Sequence, residues 1–469
     1  MKITFNINYR TNWGESVYLT GSVKALGDNE YTKALKLTLT GSEHWSATIE
    51  VPDSATSFDY AYQVRHENGG VKREWGQPHR FLSGRGAVNY DIYDRWQDQP
   101  WDKPYYSMAF TRCICRRDSA PKPVLPRRGY LTIAVSAPML KPEWHVAVCG
   151  ASKSLGEWNP AKAIAMNDCD YPQWIATVKA DDITVNTEFK FLIADREGNA
   201  IAWEGGENRK VGITPAADAA TVVAGMRLIN PLDLWKGAGT AIPVFSLRSD
   251  DDFGVGDFYD LKAMIDWCVR TGQTFLQILP INDTTMTHTW TDSYPYNANS
   301  CFALHPMYLR LEELGLLADK KRRKYFNDLR LELNALEQID YERVNQAKIE
   351  YFHEIFEQDG ARVLALPEFH EFVKNNASWL MPYAAFCVLR DKFGTPVFSN
   401  WGKYAVYDKA KIDKFIAANR HEIDYVLYLQ YNLDRQLKHV HDYARAAGVA
   451  IKGDIPIGIS RDSVDAWTS

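Results

Sequence analysis

Apolar and polar residues alternate at period two in short runs through the first half of the chain. Trp45-Ser46-Ala47-Thr48-Ile49-Glu50-Val51 and Phe189-Lys190-Phe191-Leu192-Ile193 are examples. Period two sends successive side chains to opposite faces, so such runs predict half-buried strands. Gly, Asn, Asp and Pro punctuate them. Units of roughly a hundred residues built this way predict antiparallel sandwiches. After Pro231 the pattern changes. Residues 241–247 and 274–281 are continuous apolar runs of strand length. Between them Phe258, Leu261, Met264, Ile265 and Cys268 recur at helical spacing, with Asp257 as an N-cap and Gly272 as a stop. Strand, helix, strand in that rhythm predicts a βαβ unit in a parallel sheet. A long helical stretch, 311–448, leads to a third buried-type strand, 449–457, which carries Asp454 in its second half.

The two β-rich stretches repeat one another. Val17-Tyr18-Leu19-Thr20-Gly21, followed by Leu26-Gly27-Asp28, matches Val146-Ala147-Val148-Cys149-Gly150, followed by Leu155-Gly156-Glu157. The same spacing pairs Lys33 with Lys162, Trp45 with Trp174 and Tyr62 with Phe191. A slip of one residue pairs Trp75 with Trp203. Ordered markers at one spacing are the signature of duplicated units. Trp45 and Trp174 lie in apolar alternations, so Trp174 is expected in the core. Between the copies, Ala120-Pro121-Lys122-Pro123-Val124-Leu125-Pro126 predicts a stiff linker. The expected divisions are sandwiches at 1–98 and 127–226, a linker at 99–126 and a different domain at 227–469.

Composition narrows the ligand. The net charge is -5, which offers no general basic footprint for nucleic acid or anionic membrane. No apolar run is long enough to span a bilayer, and no apolar leader follows Met1. The 7 Cys are odd in number and lack framework spacing, which points to a reducing cytoplasm. No spacing suggests a metal site, and no cofactor is expected. Aromatics make up 13% of the chain, and flat rings suit both sandwich cores and sugar faces.

The second copy carries Leu155-Gly156-Glu157-Trp158-Asn159-Pro160, Glu188-Phe189-Lys190-Phe191 and Trp203-Glu204-Gly205-Gly206-Glu207-Asn208-Arg209. Here the chain resembles the family 20 starch-binding modules. The resemblance implies that Trp158 and Trp203 stack on glucose faces while Lys190 and Asn208 bond hydroxyls. The alternative is that both indoles belong to the core. The first copy has Asn29 and Ala61 at the places of Trp158 and Lys190, and only Trp75 remains of the set. It binds glucan weakly, or through Trp13, Tyr31 or Tyr60, or it serves as a spacer.

The second half carries Phe253-Gly254-Val255-Gly256-Asp257-Phe258, Gln277-Ile278-Leu279-Pro280, Asp292-Ser293-Tyr294-Pro295-Tyr296 and Ala303-Leu304-His305-Pro306-Met307-Tyr308. It ends with Gly453-Asp454-Ile455-Pro456-Ile457 and Asp462-Ser463-Val464-Asp465-Ala466-Trp467. These resemble glycoside hydrolase family 77, the 4-alpha-glucanotransferases. The resemblance implies a (β/α)₈ (TIM-type) barrel, a retaining transfer of α-1,4-glucosyl units, and no cofactor. It also implies that Asp454 holds the glucose at the cleavage point and that Ser293 and Tyr296 line the donor side. The expected fold class is multidomain: two all-β immunoglobulin-like sandwiches followed by an incomplete α/β barrel with helical insertions. About three of eight barrel strands are recognisable.

A retaining enzyme of this kind needs two carboxyl groups about 5–5.5 Å apart. The family's nucleophile and acid/base motifs are not found in the sequence and are expected beyond Ser469. The chain is thus expected to be truncated and inactive alone, with no catalytic residue assigned. Asp250-Asp251-Asp252 is expected to be a solvated loop. The expected partners are starch, glycogen or malto-oligosaccharides, with neither nucleic acid nor membrane. The alternatives are a non-catalytic glucan-binding fragment and an α-amylase-type hydrolase.

Overall fold

The computed structural model describes all residues except 77, 85–88, 118–120 and 233–234. It divides into two compact units, Met1–Trp235 and Lys236–Ser469.

The first unit is β-rich. In the first copy, Glu15–Gly21 pairs antiparallel with Ser57–His66, and Lys2–Asn8 pairs antiparallel with His44–Glu50. The second copy repeats this with His145–Gly150 on Glu188–Ala194 and Tyr130–Ser136 on Gln173–Lys179. Ile3, Phe5, Val17, Leu19, Trp45 and Tyr62 fill the first core. Leu131, Val146, Val148, Trp174 and Phe191 fill the second, so Trp174 is a core residue.

The two sandwiches share a sheet. Asn89–Arg95 of the first runs parallel to Ala220–Arg227 of the second, with Tyr90 opposite Ala220 and Tyr93 opposite Val223. This joins eight strands in one continuous sheet across both copies. The seam is packed as well as hydrogen-bonded, because Ala220 and Val222 belong to the first core and Tyr93 packs on the second. Gly225 makes the join possible. Its φ is +76°, and a Cβ there would lie 2.7 Å from Gln97 Nε2 and 2.8 Å from Arg95 N. The chain between the copies is not a free spacer. It forms short helical turns at Lys103–Tyr106 and Phe110–Ile114 and buries Phe110, Cys113 and Cys115. Tyr106 Oη lies 2.8 Å from Ser136 Oγ, and Arg117 donates to the carbonyls of Lys141, Pro142 and Trp144. Ala120, at the head of the Pro-rich run, lies outside the described residues.

The second unit is α/β. Gly239–Ile242, Phe275–Ile278 and Ala450–Lys452 form a parallel three-stranded sheet in that order. The first strand is shorter than its apolar run, because Pro243 has no N–H to give a ladder and Val244–Ser246 closes a 3₁₀ turn. Helix α1 (Asp260–Arg270) begins three residues after Asp257. Asp257 still accepts from Tyr259 N at 2.9 Å, but its other oxygen is held by Arg310 at 2.6 Å. In the acidic run Asp250 and Asp251 are exposed as expected, and one position is corrected. Asp252 is fully buried and accepts from Ser249 N and Gly254 N, because it pins the turn that Gly254 makes. The helical stretch comprises α2 (Lys320–Asn334), α3 (Tyr341–Leu364), α4 (Pro367–Phe393), α5 (Lys409–Ala418) and α6 (Arg420–Ala446).

Candidate functional site

In the second sandwich, the turn after His145–Gly150 runs through three consecutive left-handed residues. Gly156, Glu157 and Trp158 have φ of +85°, +54° and +58°. Only glycine fits the first, since a Cβ at Gly156 would meet Lys162 O at 2.6 Å. A tryptophan in this region costs about 1–2 kcal/mol. The cost places a half-exposed indole beside Trp203, with ring centroids 6.1 Å apart and planes at 53°. Lys190 Nζ donates to Glu204 O at 3.2 Å and Gly206 O at 2.8 Å, leaving one N–H of its three. Asn208 Nδ2 donates to Glu188 Oε2 at 3.0 Å. The structure therefore gathers Trp158, Lys190, Trp203 and Asn208 around one loop. Buried Glu204 pins that loop, accepting from Phe191 N at 2.9 Å and bidentately from Arg209 at 2.9 and 2.8 Å. Glu204 carries no signal of its own beyond its place between Trp203 and Gly205.

The first sandwich keeps the turn and loses the rings. Gly27, Asp28 and Asn29 have φ of +83°, +51° and +65°. Asparagine tolerates this conformation better than tryptophan. The pairing of Trp75 with Trp203 is corrected by the strand register. Arg73 lies opposite Gln63 as Trp203 lies opposite Leu192. Glu74 N donates to Tyr62 O as Glu204 N donates to Phe191 O. Trp75 therefore falls two positions beyond the place of Trp203, and its ring meets Tyr106 edge-on at 5.8 Å. Glu74 repeats the pinning role of Glu204, with His79 in the place of Arg209. Beneath it, Tyr60 and Tyr62 donate to buried Asp94 at 3.0 and 2.8 Å. Burial disfavours a charge on His79, but Asp94 and Glu74 outweigh it and raise its pKa to about 10.

In the second unit, parallel pairing of Phe275–Ile278 with Ala450–Lys452 brings the chain that leaves both strands to one edge. Tyr296 Oη donates to Asp454 Oδ2 at 2.8 Å across 158 residues. That hydrogen bond is the leading reason the Tyr296 phenol is held above its ordinary pKa. Asp454 Oδ1 accepts from Ile455 N at 2.9 Å. A carboxylate has about four acceptor positions, so the half-buried Asp454 keeps capacity for ligand hydroxyls. Ser293 is exposed on the turn three residues before Tyr296, and Tyr294 lies 5.7 Å from the Tyr296 ring.

Two buried carboxylates that sequence reasoning left without a role build this loop. Asp292 Oδ2 accepts from Met286 N, Thr287 N and His288 N at 3.0, 2.8 and 2.7 Å. Asp283 accepts from Asn299 Nδ2 at 2.9 Å and Tyr383 Oη at 2.7 Å. Burial works against its charge, but His305, Arg390 and the hydrogen bonds from Thr285 and Tyr383 bring its pKa below the ordinary carboxylate value. Asp465 accepts from Cys301 N at 2.8 Å and ties the last helical turn to the same loop. Asp292 and Asp465 lie inside motifs visible in the sequence, while Asp283 has no signal apart from following a strand end.

Residues 242–469 match the family model described as 4-alpha-glucanotransferase, and residues 1–89 and 131–223 match the starch binding domain. The 4-alpha-glucanotransferase DPE2 of Oryza sativa subsp. japonica is 33% identical over 489 residues, which cover 99% of this chain and 51% of that protein. The 4-alpha-glucanotransferase of Chlamydia muridarum (strain MoPn / Nigg) is 35% identical over 240 residues, covering 51% of this chain and 44% of its own. The chain thus spans about half the length of the curated relatives it matches. Among solved structures, the amylomaltase from Streptococcus agalactiae in complex with acarbose aligns with 50% of this chain and 46% of its own, at 23% identity and a TM-score of 0.43.

Proposed function

We propose that the protein binds starch, glycogen or malto-oligosaccharides and transfers α-1,4-glucosyl units between them, on the match of residues 242–469 to the 4-alpha-glucanotransferase model and of residues 1–89 and 131–223 to the starch binding domain. The observation that carries this reading is the Trp158–Trp203 pair, with Lys190 and Asn208 beside it. A pyranose face is a sheet of C–H groups, and a rigid indole covers it with few torsions to freeze. The ammonium and amide then bond the hydroxyls at the rim.

Asp454 and Tyr296 are the groups proposed to hold glucose at the cleavage point. A carboxylate fixed by a phenol binds vicinal hydroxyls of one ring. In a retaining transfer the bond breaks through an oxocarbenium-like state, and hydroxyl contacts that tighten there lower the barrier. Asp454 acts as a binding group in this scheme, and the nucleophile and the acid/base are separate carboxyls. The three parallel strands are proposed as members of a (β/α)₈ barrel, whose functional groups stand at strand C-terminal ends as Asp454 does. The cytoplasm is the proposed compartment, and 7 cysteines, an odd number without framework spacing, support it.

The test is release of glucose from maltose with a labelled glycogen acceptor, by a protein in which this chain is joined to the nucleophile and acid/base carboxyls that the reaction needs. The expected result is glucose release matched by label-tracked lengthening of the acceptor, lost in Asp454→Asn. Glucose release with no acceptor lengthening would make the activity hydrolytic and overturn the reading.

A further inference from the structure

In the first sandwich, the sheet of Leu35–Lys36, Glu15–Gly21, Ser57–His66 and Val71–Arg73 has a cationic outer face. Tyr62 and Val64 point into the core, so Gln63 and Arg65 point the other way. Register puts Lys36, Tyr18, Gln63 and Arg73 in one row across the four strands. Arg65 stands in the next row, opposite Val71, and is therefore diagonal to Arg73. Diagonal neighbours on a sheet lie about 7–8 Å apart, within reach of long side chains. The second sandwich fills the same row with Ala165, Ala147, Leu192 and Trp203. Ala194 there takes the place of Arg65, and Ala147, Leu192, Ala194 and Trp203 form an apolar cluster. The first copy has thus exchanged an apolar face for three cations.

Tyrosines hold both guanidiniums. Arg65 Cζ lies 4.3 Å from the Tyr18 ring centroid, and Arg73 Cζ lies 4.1 Å from the Tyr31 ring centroid. Arg65 also donates through Nη2 to Tyr31 O, and Gln63 Nε2 donates to the same carbonyl at 3.2 Å. Lys33 pairs with Glu30 at 2.7 Å and Lys72 with Asp98 at 3.5 Å, whereas among the described residues Lys36, Arg65 and Arg73 have no carboxylate partner. In a chain of net charge -5 this face is a local inversion of sign. Stacking on a ring fixes the plane of a guanidinium and leaves the N–H groups at its edge free. That is the geometry that takes a phosphate bidentately. It also closes the covered ring face to a pyranose.

We propose that this face of the first copy takes a phosphate monoester carried on an α-glucan, held by Arg65, Arg73 and Lys36. The anion is argued from the cations alone, and only the choice of polymer rests on the glucan-binding reading above. Position supports that polymer. Arg73 stands where Trp203 stands in the second copy, and the left-handed turn that carries Trp158 there is kept as Gly27-Asp28-Asn29.

The test uses the full chain carrying Trp158→Ala/Trp203→Ala, so that the site of the second copy is silent. Co-sedimentation is measured at one ionic strength on insoluble starch rich in phosphate monoesters, on the same starch after phosphatase treatment, and on phosphocellulose. The expected result is retention on the phosphorylated starch at least tenfold tighter than on either of the others. Adding Arg65→Gln/Arg73→Gln is expected to remove that difference with the circular dichroism spectrum unchanged. Equal retention on phosphorylated and phosphatase-treated starch, including none on either, would overturn the proposal. So would equal retention on phosphocellulose, which would make the anion sufficient without an α-glucan. A folded Arg65→Gln/Arg73→Gln chain that still prefers phosphorylated starch would overturn it as well. Retention of the chain with Trp158 and Trp203 intact on phosphatase-treated starch, measured separately, reports on the second copy alone, so the two readings fail independently.

Discussion

Trp158 occupies a left-handed backbone position that asparagine holds at less cost in the first copy. This comparison yields a prediction with two signs. Trp158→Asn is expected to leave stability unchanged or raise it by up to about 1 kcal/mol. It is expected to weaken amylose binding at least tenfold, an effect of about 1.4 kcal/mol or more. Urea unfolding and amylose co-sedimentation on the same variant separate the two. If affinity is retained while stability rises, the strain has another purpose. Glu204→Ala should cost about 3 kcal/mol, because it leaves Arg209 partly buried without its carboxylate. His79 gives a pH dependence. Its folded pKa of about 10 lies above the unfolded value near 6.5, so its contribution is complete below about pH 6.5 and is lost as pH rises through about 10. The urea midpoint of the β-rich unit should fall from pH 7 to pH 10, and His79→Gln should flatten that slope. The residues legible in the sequence are polar or aromatic side chains in turns and loops, such as Trp158 and Asn208, or on short strands, such as Lys190 and Trp203. Trp158, Lys190, Trp203 and Asn208 come together as their motif implies, and Tyr296 meets Asp454. Trp75 was misplaced because a ring's identity outweighed strand register, which only the ladder of Arg73 and Gln63 reveals. Asp283 was illegible because a buried carboxylate depends on donors from Asn299 and Tyr383, far apart in sequence.

At the scale of elements, alternation located the paired strands of both sandwiches, because each buries one face. It did not show that the sandwiches share a sheet. Asn89–Arg95 and Ala220–Arg227 alternate like any half-buried strands, and nothing in that pattern says which neighbour lies on an edge. The Pro-rich stretch suggested a spacer, yet the chain before it is packed by Phe110, Cys113 and Tyr106. The seam predicts that the two copies open together. Hydrogen exchange at the amides of Lys2–Asn8 and Tyr130–Ser136 should report one common opening free energy. Markedly weaker protection in the first copy would contradict this. Gly225→Ala should lower protection in both copies at once, since its Cβ would press on Arg95 and Gln97.

At the scale of the whole molecule, the chain holds a β-rich unit that matches the starch binding domain at 1–89 and 131–223, and an α/β unit that matches the 4-alpha-glucanotransferase model at 242–469. The change of period after Pro231 makes that division legible from sequence. No helix among the described residues is long and apolar enough to cross a membrane. Both units are proposed to take one ligand class, α-1,4-glucan, and the Trp158–Trp203 pair is where that proposal is most directly tested. Co-sedimentation with insoluble amylose tests it directly, comparing the unmodified chain with Trp158→Ala/Trp203→Ala. The account predicts that the unmodified chain is retained and that the double variant, still folded by circular dichroism, stays in the supernatant. Equal retention of both would contradict it.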